Sequence, residues 1–329
     1  VNDEFAESYG EKATAELKPL IVLFGPTASG KTELSLRLAE AFGGEVVSCD
    51  SVAVYRGMEL GTAKPSAAER ARVRHHCLDL YEPTEACTAG DYARHARRAI
   101  EEISGRCALP ILSGGTGLYG RALLDGLAPT PPADAGLRSL LRARAARRGA
   151  VSLHRTLRRL DAVAAARIHA HDMPKMIRAI EVSIAARRPL TELWSEGRDA
   201  LTGYKVLRLG LVPERAELYG RIDVRAAAMF ARGLVDELRE LREQYGAACR
   251  PFSSLGYAEA GAVLDGSMTE VDAIARAQQG HRNYAKRQVT WFRREGELHT
   301  VHWLRGTGDA AAVQAEAGEL VRGHVGSGW

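Results

Sequence analysis

The chain has no run of about 18 apolar residues, so it offers no membrane-spanning helix. Its first twenty residues, Val1 to Leu20, mix acids, small residues and lysines and lack the apolar centre of a signal peptide. The start at Val1 reads as a processed or trimmed terminus. Cysteine is sparse: Cys49, Cys77, Cys87, Cys107 and Cys249 are scattered and include no C-x-x-C pair. That argues against a disulfide framework or a structural zinc site and for reduced thiols in a cytoplasmic protein. His75, His76 and Cys77 are adjacent, but metal sites need three or four ligands at workable spacing, so they do not suffice as one. Internal repeats are absent.

Charge of one sign is also not in large excess. The net charge is +4, yet the positive residues are unevenly placed. Arg138, Arg142, Arg144, Arg147, Arg148, Arg155, Arg158 and Arg159 fall in one stretch with a single acid, Asp161, just beyond it. A second group is Arg282, Lys286, Arg287, Arg293 and Arg294. Such clustering attracts polyanions such as RNA, although a solvated helix face accounts for the first cluster equally well.

What is present is an alternation of strand and helix. Leu20 to Phe24 (LIVLF) is a short continuous apolar run, as a strand buried on both faces requires. A Gly-rich turn follows, then a helix from about 31 to 42 with Leu34, Leu38 and Ala41 on one face. Glu45 to Cys49 reads as a second strand, 90 to 104 as a helix, and Pro110 to Leu112 as a third strand ended by Gly114-Gly115. This pattern predicts an α/β fold: a P-loop core with a parallel sheet. After Gly126 the composition shifts to Ala, Arg and Leu with helical periodicity, entered through Pro129, Pro131 and Pro132. The expected domains are a first part of the core over 18–125, a mostly helical insertion over 126–200 and a second part of the core over 203–305. A strand is expected over 205–212, with helices at about 214–245, 255–265 and 269–288 and a last strand at 300–304. The tail over 306–329 is expected to add little.

Gly25-Pro26-Thr27-Ala28-Ser29-Gly30-Lys31-Thr32 fits G-x-x-x-x-G-K-[ST] completely, with a strand before it and a helix after it. Successive backbone N–H groups and the helix N-terminus form an anion cradle, Lys31 adds positive charge, and the Thr32 hydroxyl can bind Mg²⁺. Which phosphate binds is not legible from the loop. Asp50 follows the second strand directly, and in open α/β sheets ligands lie outside the carboxyl ends of strands. Asp50 is therefore expected to face the same crevice, to hold Mg²⁺ through water or to take a proton from a nucleophile. A turn or helix-capping Asp is the alternative.

Further matches make a resemblance specific. GPTASGKT (25–32), DSVAVYRGMELGTAKPS (50–66), GGTGLY (114–119), IHAHDMPKMIRAIEV (168–182), GLVDE (233–237), LGYAE (255–259) and YAKRQVTWFR (284–293) are similar to the bacterial tRNA dimethylallyltransferase family, in the family's order from about 20 to 304. The resemblance implies transfer of the dimethylallyl group from dimethylallyl pyrophosphate to N6 of the adenosine 3′ of the anticodon, with pyrophosphate released and Mg²⁺ as cofactor. It implies Asp50 as general base for the amine. Thr32 and the loop residues Gly25, Pro26, Thr27, Ala28, Ser29, Gly30 and Lys31 would hold the pyrophosphate, with either Arg221 or Arg225 as a further clamp. On the tRNA side it implies Asp50, Ser51, Val52, Ala53, Thr116, Arg138, Lys175, Arg178, Lys286, Arg287 and Gln288, which places tRNA-binding helices at the C-terminal end of the core. Val52, Val54 and Leu118 are candidates for an apolar wall around the five-carbon tail, or for core. Trp291 is expected to be structural.

Several positions depart from the family pattern. Ala53 stands where many members have Gln, His171 for Asn, Lys175 for Arg and His281 for Thr. These affect single RNA contacts: Lys for Arg keeps charge but loses the planar fork. No C-terminal zinc finger of the kind eukaryotic relatives often carry is present. Competing readings are prenylation of a free adenine nucleotide, a small-molecule P-loop kinase, and a non-catalytic RNA-binding protein. The insertion arginines and YAKRQVTWFR argue against the first, and Asp50 beside an intact P-loop argues against the last. A monomer is expected, with tRNA and dimethylallyl pyrophosphate as partners and no membrane.

Overall fold

The computed structural model describes residues 17–326. Most of the N-terminal stretch read above as lacking a signal peptide lies outside them.

The core begins with β1 (Lys18–Phe24), whose residues Leu20 to Leu23 are fully buried. It runs through α1 (Lys31–Ala41), β2 (Gly44–Cys49), α2 (Ala67–Arg72), β3 (His75–His76), α3 (Ala89–Gly105), β4 (Leu109–Gly114) and α4 (Gly117–Leu124). All pairings in the sheet are parallel, in the order β3-β2-β4-β1-β5-β6, where β5 is Tyr204–Val212 and β6 is His302–Arg305. From β1 the chain goes to one side of the sheet, reaching β2 and then returning to β4; β5 and β6 lie on the other side. The crevice at the carboxyl ends of β1 and β4 is thus a topological switch point, where open α/β sheets bind ligands.

β3 was not legible in the sequence: two half-buried residues carry no period. Its histidines have partners elsewhere. His75 Nδ1 lies 2.8 Å from the Val73 carbonyl and His76 Nε2 lies 2.6 Å from Glu45.

Residues 124–201 form a compact unit of their own. It holds α5 (Ala135–Arg148), α6 (Ala150–Leu160), α7 (Ala162–Arg167), α8 (Met173–Ala186) and α9 (Leu190–Leu193) around Leu153, Leu157, Met176 and Ile180. Asp134, Asp161 and Asp172 cap α5, α7 and α8 by accepting from amides of the first turn.

The expected helix at 214–245 is two helices, α10 (Arg215–Ala231) and α11 (Leu234–Tyr245). Gly233, at φ 96°, breaks them apart in a conformation that disfavours side chains. After α12 (Tyr257–Leu264), the helix expected to end near 288 continues as α13 (Glu270–Leu298), because Gln288, Phe292 and Glu295 extend its buried face. The stretch from Gly306 is not an idle tail. It contains α14 (Ala311–Val325), whose Val313, Ala317 and Val321 are buried against Leu34, Leu38 and Leu211. Burying each of the two valines contributes roughly 1.5–3 kcal/mol. Alternating small residues (AAVQAEAG) hid that face, since alanine weakens the apolar contrast on which periodicity depends.

Candidate active site

Four parallel strands end around one crevice. β1 delivers the P-loop, β2 delivers Asp50, β4 delivers Gly115 and Thr116, and β5 leads into α10 with Arg221 and Arg225. A cavity of about 1110 Å³ is lined by Thr27 to Thr32, Asp50, Ala53, Lys64, Arg221, Arg225, Tyr284 and Gln288, among others.

The loop is built as an anion cradle. Gly30 sits at φ 84° as the residue before α1, and Ala28 also takes a positive φ of 63°. Among the described residues the amides of Ala28, Gly30, Lys31 and Thr32 donate to no acceptor. The first-turn amides of a helix are the groups that hold phosphate. Lys31 Nζ donates to the Pro26 carbonyl at 2.7 Å. Burial lowers its ammonium to about 7; the Arg225 guanidinium adds to this and Asp50 opposes it. An anion in the cradle favours the protonated form again. Thr32 is exposed and lines the cavity, and its hydroxyl is a hard oxygen donor of the kind Mg²⁺ takes.

Both candidate arginines touch the loop. Arg221 Nε donates to the Ala28 carbonyl at 3.0 Å, and its Nη1 pairs with Asp309 at 2.9 Å. Arg225 Nη1 donates to Thr27 Oγ1 at 3.0 Å, while its Nε is buried without an acceptor. Burial lowers the Arg225 guanidinium, with Asp50 opposing. The sequence left a choice between them; the structure brings both to the cradle.

Asp50 Oδ1 accepts from the amides of Val52 at 2.8 Å and Ala53 at 3.1 Å, so the residue does close a turn. Oδ2 accepts no hydrogen bond among the described residues. Thr116 joins the same corner: its Oγ1 accepts from the Ser51 amide at 3.1 Å, and its own amide donates to the Cys49 carbonyl at 3.2 Å. Tyr284 packs beside them. Burial and then the Asp50 charge push its phenol up to about 12, against a hydrogen bond with Thr116.

Several expected RNA contacts are placed differently. Gln288 is 5 % exposed, with Oε1 accepting from the Thr27 amide at 2.8 Å and Nε2 donating to the Gly115 carbonyl at 2.9 Å. It braces the P-loop to the end of β4. A Cβ on Gly115 would lie 2.2 Å from that amide nitrogen, so the Gly-Gly step is a packing requirement. The Ala53 side chain is buried in the cavity wall, leaving its amide as the group that acts. Arg138 forks onto Glu181 at 2.9 Å through Nε and Nη2, and Arg178 meets the same carboxylate at 2.8 Å and the Pro131 carbonyl at 2.9 Å. These two hold the insertion together. Lys175 pairs with Asp172 at 2.6 Å and stays exposed. Of the residues expected to form an apolar wall, Val54 is core at 0 % exposure; Val52 and Leu118 do not line the cavity, which takes Val46, Leu60 and Ala63 instead.

Lys286 and Arg287 are exposed on α13, with the Arg287 guanidinium 5.5 Å from the Tyr284 ring centre. Arg293 and Arg294 continue the stripe. Phe292 is buried and stacks on Phe24 at 5.2 Å, while Trp291 lies beneath Arg121 at 4.6 Å with its indole N–H buried. His281, standing where the family pattern has Thr, lies behind the P-loop beside Arg225; burial lowers it to about 4, with a smaller contribution from Arg225. Its Nε2 is buried without a hydrogen-bond partner among the described residues.

Sequence reasoning missed Lys64, whose side chain is fully buried, bonded to Glu59 at 2.9 Å and the Tyr55 carbonyl at 2.6 Å, and part of the cavity lining. Its place inside the 50–66 motif was the available signal. Asp309 was missed as well, with no signal beyond an acid after a Gly.

A parallel sheet with a cradle of free amides, an invading lysine and a carboxylate at the next strand end defines a P-loop protein built for reaction at a phosphorylated ligand. The family model described as IPP transferase matches residues 53–295. A tRNA dimethylallyltransferase of Koribacter versatilis is 57% identical over 92% of this chain and 98% of its own length, and one of Solibacter usitatus is 52% identical over 94% and 99%. Among solved structures, the tRNA isopentenylpyrophosphate transferase of Bacillus halodurans superposes with a TM-score of 0.68 at 36% identity, covering 94% of this chain and 97% of that one. A eukaryotic dimethylallyltransferase acting on tRNA gives 0.77 at 26% identity, over 91% and 78%. The chain belongs to the IPP transferase family.

Proposed function

We propose that this protein transfers the dimethylallyl group of dimethylallyl pyrophosphate to N6 of the adenosine 3′ of the anticodon in tRNA, releasing pyrophosphate. The observation that carries this reading is the single cavity on which the P-loop, Asp50, Arg221 and Arg225 converge. The 57% identity to a relative named for this reaction supports the substrate pair.

In this reading the two arginines bind the pyrophosphate, and the free amides of the loop with Lys31 also stabilise it as it leaves. Asp50, held by two amides through Oδ1, takes the N6 proton on Oδ2 as the N6–C1 bond forms and the C1–O bond to pyrophosphate breaks. Proton, alkyl group and leaving group are then all accounted for. Thr32 would hold Mg²⁺, which when bound neutralises charge on the leaving group. Val46, Leu60 and Ala63 give the cavity its apolar wall. Thr116 and Tyr284 border the place where a flipped-out base has to enter. Exposed Lys286, Arg287 and Lys175 meet tRNA phosphates in this reading. No helix among the described residues is long and apolar enough to cross a membrane.

The test is incubation with labelled dimethylallyl pyrophosphate and Mg²⁺, offering unmodified tRNA in one arm and AMP in the other. Label on tRNA alone is the expected result. Label on AMP moves the reading to a nucleotide prenyltransferase, and γ-phosphoryl transfer from ATP in a third arm moves it to a kinase.

A further inference from the structure

The P-loop is braced from behind by a segment that shares no part of its motif. The Gly308 amide donates to the Ser29 carbonyl at 2.9 Å. The approach is so close that a Cβ on Gly30 would lie 2.6 Å from the Gly308 nitrogen, and one on Gly308 would lie 2.3 Å from the Gly30 carbonyl oxygen. Gly30 therefore needs to be glycine twice over, once for its φ of 84° and once for this neighbour. Gly308 is itself held, its carbonyl accepting from Gln314 Nε2 of α14 at 3.2 Å. Next in the chain, Asp309 pairs with Arg221 Nη1 at 2.9 Å, while Arg221 Nε donates to the Ala28 carbonyl. Thr307, at the start of the segment, is 5 % exposed and accepts from the Ala310 amide at 3.0 Å through its carbonyl.

We infer that Asp309 is a positioning residue for pyrophosphate binding: with Gly308 it holds Arg221 and the Ala28–Gly30 backbone in the conformation that receives the ligand. The inference rests on the reading of this loop as a pyrophosphate site. The physical reason is conformational. A free arginine samples many rotamers, and ordering one in the site costs entropy at the moment of binding. A carboxylate gripping one end of the guanidinium removes that cost beforehand and leaves the other N–H groups for the ligand. Burial pushes the Asp309 carboxyl up, but bonds from Arg221 and Thr307 outweigh it and hold the group below its usual range. It is thus the anionic partner Arg221 requires at neutral pH. The same carboxylate stands beside Gly30, so it also repels an anion that overshoots the cradle.

The experiment uses the full chain and two probes, Mg²⁺ with inorganic pyrophosphate by calorimetry and dimethylallyl pyrophosphate by steady-state kinetics. Asp309→Ala is expected to raise Kd for pyrophosphate and KM for dimethylallyl pyrophosphate by about fivefold, the upper reach of a half-exposed pair. Its kcat at saturation and its Kd for tRNA stay near the parent values. Asp309→Glu restores most of the loss. Arg221→Ala gives a comparable rise, and the double variant adds little to either single one, because both remove the same contact. A merely structural role lowers Tm without this split between KM and kcat. Asp309→Asn keeps the shape and covers the case in which the alanine variant fails to fold. Unchanged pyrophosphate affinity in Asp309→Ala and Asp309→Asn, or fully additive effects with Arg221→Ala, overturns the inference alone. A parent protein that binds no pyrophosphate overturns the reading of the site with it.

Discussion

Two carboxylates of this molecule, Glu181 and Asp50, each have two basic side chains close by and are used in opposite ways. In the insertion, Glu181 is fully buried and accepts from Arg138, Arg178 and the Asp134 amide. Every lone pair facing a donor is engaged, and the result is a fixed joint between α5 and α8. In the core, Asp50 interacts with Lys31 and Arg225 through space, yet neither cation bonds to it. Its one engaged oxygen is held by backbone amides. Lys31 and Arg225 donate to Pro26 and Thr27 instead, and the Arg225 Nε is left buried without an acceptor. Satisfied polar groups make structure; groups kept apart and under-satisfied are what a ligand completes.

Substitution at the two acids separates the two uses most directly. Asp50→Ala is expected to lower kcat by about 10²–10⁴, the usual cost of removing a general base, with tRNA affinity nearly unchanged. Retention of more than half the parent kcat in single-turnover assays would sink the assignment. The matching change in the insertion, Glu181→Gln, should leave the chemistry alone and cost about 1.5–3 kcal/mol of stability in urea titrations, because two partly exposed arginines lose charge-assisted bonds to their shared partner.

Acid acts on the same joint. Burial pushes the Glu181 carboxyl up, but the bonds from Arg138, Arg178 and the Asp134 amide prevail and hold it below its usual range. A group depressed in the folded state contributes stability that is complete above its unfolded value, about 4.3, and lost as pH falls through the folded one. Unfolding midpoints of the parent should therefore drop on going below about pH 4, and those of Glu181→Gln should drop less. Parallel curves for the two proteins would remove Glu181 as the acid-sensitive joint.

Smaller effects sharpen the contrast between buried and exposed basic groups. Replacing Lys286 and Arg287 together with glutamine should reduce the slope of log K for tRNA against log salt by about 1.5, because two fewer phosphates are neutralised. Dimethylallyl pyrophosphate binding should not move. An unchanged slope would make this end of α13 an ordinary solvated face. The least effect is expected from Arg147→Gln, on the exposed stretch of α5 whose arginines pair with no acid among the described residues. The tRNA association rate should fall about twofold, with stability within about 0.5 kcal/mol of the parent. A change in kcat there would mean the stretch does more than attract.

The parts of this site that were legible in the sequence are those whose chemistry is local. G-x-x-x-x-G-K-[ST] after an apolar run specifies a cradle because adjacent residues build it, and Asp50 was placed by the rule that strand ends face the crevice. Arg221 and Arg225 were found as a pair but not separated, since residues four apart share a helix face. Gln288, Arg138 and Arg178 were expected as RNA contacts, and their partners within the protein were not legible, because a polar side chain in a basic stretch looks the same whether it faces water or a group brought from far along the chain. Gln288 and its partner Thr27 are 261 positions apart.

By itself, then, the sequence determined the sheet-forming runs other than β3, the P-loop, the carboxylate at the end of β2 and the basic character of α5, α6 and α13. Tertiary structure decided which polar groups are consumed and which are left open. It joined both arginines to one loop, enclosed Lys64, and turned a glycine- and alanine-rich C-terminal stretch into the back wall of the P-loop. The physical reason is that a hydrogen bond or an ion pair depends on distance in space. Sequence pattern reports that distance only within a helix turn or a strand pair.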